Sequence, residues 1–248
     1  MRKLLALIAL VATLGVVATP ACRAYAAPVP AAMLQHVAAT DTPTILVDPV
    51  QGPSVSQQLV TRARASWPWY ITRAAGFVAA ISLALLMLSG VGFITGLSFR
   101  LLEPLTAWAT HKAIAYIFGI SVVVHVVALL FDRFVPFTIA QALVPFLSHY
   151  REVSIVGYHM GSLYVALGVI ALYFVLAIIL SSILWIDKKP HTWKLLHFLA
   201  YLTIIFVFFH ALYLGTDLAH GVFRIIWVII GVGIAIAVVL RLRRRARM

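Results

Sequence analysis

The chain has 248 residues, of which 63% are hydrophobic and 10% charged, with a mean hydropathy of +1.05; the charged share is far below the roughly one quarter usual in soluble domains and excludes a water-soluble globular protein. The formal net charge is +12, but the basic residues stand at the ends of apolar runs, five of them in the last eight residues, so they read as topology signals facing anionic lipid and not as a nucleic-acid surface. The single cysteine, Cys22, and the lack of any Cys-x-x-Cys-His exclude covalently attached c-type haem, cysteine-ligated iron–sulfur clusters and intramolecular disulfides.

Residues 1–26 carry a basic start at Arg2 and Lys3, an apolar core from Leu4 to Val17, and Ala24-Tyr25-Ala26 before Ala27-Pro28. That is the pattern of a secretory signal peptide cut after Ala26, with an uncleaved signal anchor as the alternative. Cleavage removes Arg2, Lys3 and Arg23 and takes the charge from +12 to +9. Cys22 invites a lipoprotein reading, which Thr19-Pro20-Ala21 fits poorly. Residues 27–72 hold six prolines and no sustained apolar period, and are expected to form an extracytoplasmic tail, mostly irregular, with a short helix near residues 55–65. Trp67, Trp69 and Tyr70 form an interfacial aromatic cluster at its end.

Five apolar stretches follow, at residues 73–99, 105–131, 157–184, 193–215 and 223–242. Each matches or exceeds the roughly 20 residues that cross a bilayer as a helix. Residues 134–147, in the longest connection, are apolar but too short to span and predict a surface helix. The expected fold is all-α and integral to the membrane: a five-helix transmembrane bundle over residues 73–242 after the signal peptide, with 243–248 as a basic cytoplasmic tail. Basic residues near the helix ends divide ten to six. Arg100, Lys112, Lys188, Lys189, Lys194, Arg241, Arg243, Arg244, Arg245 and Arg247 are on one side, and Arg62, Arg64, Arg73, Arg133, Arg151 and Arg224 on the other. The first side is expected in the cytoplasm. The mature N-terminus is then outside, in a multi-pass protein of the plasma membrane.

The second and fourth stretches each contain two histidines, His111 and His125, and His197 and His210. One helix intervenes, so the two must run parallel. His111 pairs in depth with His197 on the inner side, and His125 with His210 on the outer side. Two histidines from facing helices at one depth suit the two axial positions of a haem iron, and the chain offers this twice, with centres roughly 20 Å apart. A zinc ion would want its ligands gathered within a few ångströms, which this spacing forbids for all four histidines together. Polar residues within a membrane are uncommon and lean towards function, the alternative being helix–helix hydrogen bonds. Fourteen residues place His111 and His125 within about 40° on one helix face, whereas thirteen leave His197 and His210 about 140° apart. A π-bulge, a bend or different rotamers would have to absorb that offset.

Trp193-Lys194-Leu195-Leu196-His197, with Tyr201 and then His210, together with the two histidine spacings and the helix order, resembles the ferric-reductase-like transmembrane domain over residues 73–240. That family includes the haem core of NADPH oxidases, metalloreductases and the haem-binding membrane subunit of the bacterial methionine sulfoxide reductase system. The resemblance implies two b-type haems with His111, His125, His197 and His210 as axial ligands, and the thirteen-residue spacing occurs in the family.

Gly76 and Gly90 lie fourteen residues apart in the first span, the same interval as His111 and His125, and would let a macrocycle or a neighbouring helix approach closely. Gly92, Gly96 and Gly119 carry the same two readings. Haem propionates need cationic partners, and the candidates are Arg100, Lys112 and Lys194 inside and Arg73, His149, Arg151 and His159 outside, each also readable as an ordinary interfacial charge. His159 is an alternative ligand to the outer haem. His36, His191 and His220 are not ligand candidates. No glycine-rich dinucleotide fingerprint follows a strand, and no flavin or nicotinamide site is expected in this chain. The expected function is therefore a b-type dihaem electron conduit, a haem-containing oxidoreductase subunit with membrane lipid around it. A separate donor (quinol or a flavoprotein reductase) and an extracytoplasmic acceptor (ferric iron, oxygen or a partner reductase) would complete it. A non-redox transporter or structural subunit, or a haem sensor, is the alternative.

Overall fold

The structure is a computed structural model that describes residues 55–132, 135–151, 153–155 and 157–245. The signal peptide and most of the expected tail lie outside the described residues, as do Arg133, Glu152 and Val156. Five helical stretches are long and apolar enough to cross a membrane: Ser66–Thr95, Pro104–Leu130, Gly161–Leu184, Pro190–Leu214 and Val222–Arg243. The chain is thus a multi-span membrane helical bundle. Its outward side chains are apolar, with Ile81, Leu85, Leu88, Ile120, Val123, Leu180, Ile183 and Ile229 exposed; an aqueous surface would not carry so continuous an apolar cover.

Helix α1 runs Val55–Thr95, so the short helix expected near residues 55–65 continues into the first span without a break. Pro68 sits within it, lacking an N–H for the helical ladder, beside the expected boundary aromatics. Trp67 and Tyr70 are exposed there. Gly96 at φ +75° ends the helix, a left-handed conformation natural to glycine. The short helix α2 (Ser98–Leu101) then folds back, with Ser98 Oγ donating to Ser89 O at 3.3 Å. Pro104 opens α3 (Pro104–Leu130), a position where its missing N–H costs nothing.

The apolar connection after α3 forms a helix over only five residues, α4 (Ile139–Leu143), started by Thr138 and Gln141 in a reciprocal capping box. A two-residue antiparallel pair, β1 (Ser154–Ile155) and β2 (Tyr158–His159), follows. It turns at Gly157 (φ +82°) and shortens the third span at its start. Helix α5 is Gly161–Leu184, and the fourth span is divided into α6 (Pro190–His197) and α7 (Leu199–Leu214). A 3-10 turn, Thr216–Leu218, leads to α8 (Val222–Arg245).

Two antiparallel hairpins make up the bundle, α1 with α3 and α5 with α6–α7, and α8 packs against both. Around one end lie Lys188, Lys189 and the last turns of α8. There the buried Arg241 sets its guanidinium 5.7 Å from the Phe198 ring and 5.3 Å from Tyr201. We call this the basic end. At the opposite end Arg73 of α1 forms an ion pair with Asp217, its Nε 2.8 Å from Asp217 Oδ2. It also stacks over Trp69 at 4.0 Å. Buried Arg224 donates to Leu212 O (3.3 Å) and Leu218 O (3.0 Å), supplying donors to carbonyls left open at the end of α7 and in the 3-10 turn after it.

Candidate functional site

Each histidine of α3 is fixed by the helix it hairpins with. His125 Nδ1–H donates to the Thr72 carbonyl at 2.8 Å. That carbonyl belongs to α1, where the residue four further on would normally crowd it with a Cβ. The residue is Gly76, and a Cβ built there would stand 3.0 Å from His125 Nδ1. The glycine therefore makes room for an imidazole to reach a helical carbonyl. His111 is held through a hydroxyl: Ser89 Oγ donates to Leu86 O at 3.0 Å and so accepts from His111 Nδ1–H at 2.8 Å. The Phe93 ring lies 5.3 Å from that of His111.

The second hairpin repeats the first arrangement at the opposite end. His210 Nδ1–H donates to the Tyr164 carbonyl of α5 at 2.9 Å. Four residues on is Gly168, where a Cβ would run into the His210 ring. Tyr164 itself stacks on Tyr213, with ring centroids 4.3 Å apart. At the basic end His197 rests against Trp193 at 5.3 Å between centroids. Its Nδ1 is buried and has no hydrogen-bond partner among the described residues.

Depth matching follows from these bonds. His125 and His210 face each other with ring centroids 6.5 Å apart and planes 80° apart. His111 and His197 lie one histidine interval further along α3 and the fourth span, towards the basic end. The thirteen-residue interval is partly accommodated at Phe198, where α6 ends and α7 begins. Phe198 N–H is shared between Lys194 O and Leu195 O, both at 3.2 Å, and Tyr201 N–H reaches Phe198 O at 3.1 Å. The two three-residue bonds, to Leu195 O and Phe198 O, tighten the turn. Each residue in a 3-10 turn advances about 120° where an α-helix advances about 100°, so His210 is rotated back towards the face of His197.

Do these residues suit a haem iron with two axial imidazoles? Three observations favour it. With Nδ1 of His125, His210 and His111 committed to an acceptor, Nε2 is left as the free lone pair. A metal-ligating histidine characteristically bonds its other nitrogen to a carbonyl or similar group. Two imidazoles bound to one metal at about 2 Å each would have centroids roughly 6 Å apart, close to the 6.5 Å found for His125 and His210. The buried polar atoms without partners, Thr72 Oγ1 and His197 Nδ1, fall at the two histidine sites, although such atoms are costly in a membrane interior. Among the described residues, histidines, cysteines and carboxylates do not gather in groups of three.

The other expected site residues take several positions. Gly76 adjoins His125, whereas a Cβ at Gly90 would meet nothing within 4 Å. Arg73 is engaged by Asp217 and Trp69. Arg100 is exposed in α2, and Arg151 is exposed at the opposite end, where its carbonyl accepts from His159 Nδ1–H at 3.1 Å. Sequence reasoning missed the Thr72 and Tyr164 carbonyls, Ser89 and Gly168. A carbonyl carries no side-chain signal, but Gly168 was findable as a glycine well inside the third span.

Residues 75–209, just over half of the chain, match the family described as Ferric reductase like transmembrane component. Comparison with curated proteins and with solved structures returned no match.

Proposed function

The chain belongs to the ferric reductase like transmembrane component family, and from that premise we propose that it is a transmembrane electron-transfer protein holding two b-type haems. His125 and His210 would hold one, and His111 and His197 the other. The observation that carries this reading is the facing pair His125/His210, 6.5 Å apart, each with Nδ1 tied to a helix carbonyl. Bound there, haem supplies reversible one-electron chemistry, with potentials set by the axial ligands, their hydrogen bonds and burial.

The chain's own residues do the positioning. The Thr72 and Tyr164 carbonyls and Ser89 Oγ fix which nitrogen of each histidine carries the proton and which is offered to the metal. The apolar spans exclude water from both sites. The excess of basic residues around Lys188, Lys189 and Arg241 supports a cytoplasmic basic end, so the donor would act there and the acceptor at the His125/His210 end. We take the donor to be quinol or a separate flavoprotein, and the acceptor to be ferric iron, oxygen or a partner reductase outside the plasma membrane.

The test is pyridine haemochrome quantification of the purified protein, with dithionite-reduced minus oxidised spectra. Two b haems per chain are expected. A purified, folded protein with no Soret band would remove the reading and return the chain to a non-redox membrane role.

A further inference from the structure

The two hairpins share a register that the histidine spacing does not reveal. In the first, a helical carbonyl at Thr72 receives the far histidine, a glycine follows four residues later at Gly76, and a serine follows seventeen residues after the carbonyl (72 to 89). In the second, the carbonyl is at Tyr164, the glycine is four residues later at Gly168, and seventeen residues after the carbonyl (164 to 181) stands Ser181. Ser89 Oγ donates three residues back to Leu86 O at 3.0 Å; Ser181 Oγ donates three residues back to Ile178 O, also at 3.0 Å. Leu86 and Ile178 each lie fourteen residues beyond their hairpin's far carbonyl (72 to 86, 164 to 178). In both serines the only hydroxyl proton is spent on a carbonyl, which leaves Oγ as an acceptor. In the first hairpin that acceptor is filled by His111 Nδ1–H. In the second, the histidine at the same depth is His197, whose Nδ1 is the buried ring nitrogen without a partner.

Depth agrees with this register. Trp193 Nε1 donates to Ser182 Oγ at 3.1 Å, which sets residue 193 beside residue 182 of the antiparallel α5. His197 is one turn further along α6, and so lies beside the preceding turn of α5, where Ile178 O collects the Ser181 and Ser182 hydroxyls at 3.0 and 2.7 Å. Ser181 is 2% exposed, in a helix whose lipid-facing side chains are apolar. Ser182 already serves Trp193.

We propose that Ser181 is the positioning residue for His197, the counterpart of Ser89 for His111, and that its hydroxyl accepts the His197 Nδ1–H when the imidazole is drawn into line as an axial ligand. The proposal rests on the haem reading of the four histidines. A hydrogen bond at Nδ1 makes the other nitrogen a stronger donor and favours the oxidised metal, so its loss raises the midpoint potential of the haem concerned.

The experiment is a redox titration of detergent-purified holoprotein, wild type and variants, with EPR spectra of the oxidised form. Ser181→Ala is expected to raise one of the two midpoints by about threefold or more in equilibrium constant, about 28 mV at 59 mV per tenfold for one electron. The same midpoint should move in Ser89→Ala, the other haem should stay put as an internal control of folding, and Ser181→Thr should restore the wild-type value. Ser182→Ala is expected to leave both midpoints in place. If Ser181→Ala leaves both midpoints and the EPR spectrum unchanged, or moves the haem that Ser89→Ala does not, the assignment is overturned. It is overturned equally if Ser182→Ala produces the shift instead. A wild-type protein without haem would overturn the underlying reading, and shows itself before any variant is made.

Discussion

The two histidine pairs are built to different standards. At the opposite end, His125 and His210 both donate to main-chain carbonyls of a neighbouring span, both rest against a glycine, and their rings face at 6.5 Å. At the basic end, His111 is held by a rotatable serine hydroxyl, and His197 sits at the last residue of α6 with its Nδ1 unpartnered. A main-chain carbonyl cannot rotate away, whereas a hydroxyl can. The opposite-end pair is therefore fixed by the main chain, whereas the basic-end pair leans on a rotatable side chain.

This contrast can be broken most sharply by removing ligands. His125→Ala and His111→Ala should each lower haem content from two to about one per chain by pyridine haemochrome; two haems retained in both variants would defeat the ligand assignment. The next largest effect should come from the glycines. Gly168→Ala puts a methyl group where the His210 ring lies and should weaken opposite-end haem binding about tenfold or more, within the range for residues that orient metal ligands. Gly76→Ala, whose Cβ would be 3.0 Å from His125 Nδ1, should do so less. Equal and full occupancy in both would mean that the glycine contacts are incidental packing.

Gly90→Leu extends a side chain into space that a Cβ alone does not fill. If Gly90 flanks the basic-end haem, the substitution lowers that haem's occupancy severalfold and spares the other, while Gly90→Ala leaves both intact. Two full haems in Gly90→Leu would count against its place in the site. Smallest of all is Asp217→Ala, which removes the partner of Arg73 from a part-buried ion pair tying α1 to the 3-10 turn after α7. A pair of this exposure contributes on the order of 1 kcal/mol. The melting temperature in detergent should therefore fall by roughly 2–4 °C with haem content unchanged. Loss of the opposite-end haem in that variant would instead assign Arg73 and Asp217 to the site itself.

Membrane class, span number and the helices that carry the four histidines were legible in the residues, because runs of about 20 apolar side chains have few alternatives to a spanning helix. Parallel direction of the histidine helices followed from counting spans, and the pairing by depth followed from direction. The thirteen-residue interval marked where a local irregularity had to lie, but neither its position at Phe198 nor its form, a tightened turn where a π-bulge was one expectation, was legible. Hydrogen bonds one residue shorter than α-helical leave no trace in composition. The continuity of α1 from Val55 was likewise hidden, since Pro68 reads as a boundary although the helix passes through it.

The sequence by itself therefore determined the bilayer as solvent, the order of the helices and which helices carry the histidines, all consequences of hydrophobic length and the fixed rise of a helix. Only the tertiary structure decided how each imidazole is held. The Thr72 and Tyr164 carbonyls, the clearance over Gly76 and Gly168, and the orphaned nitrogen of His197 depend on the register between antiparallel helices, and register is set by packing between spans, not by any residue read alone.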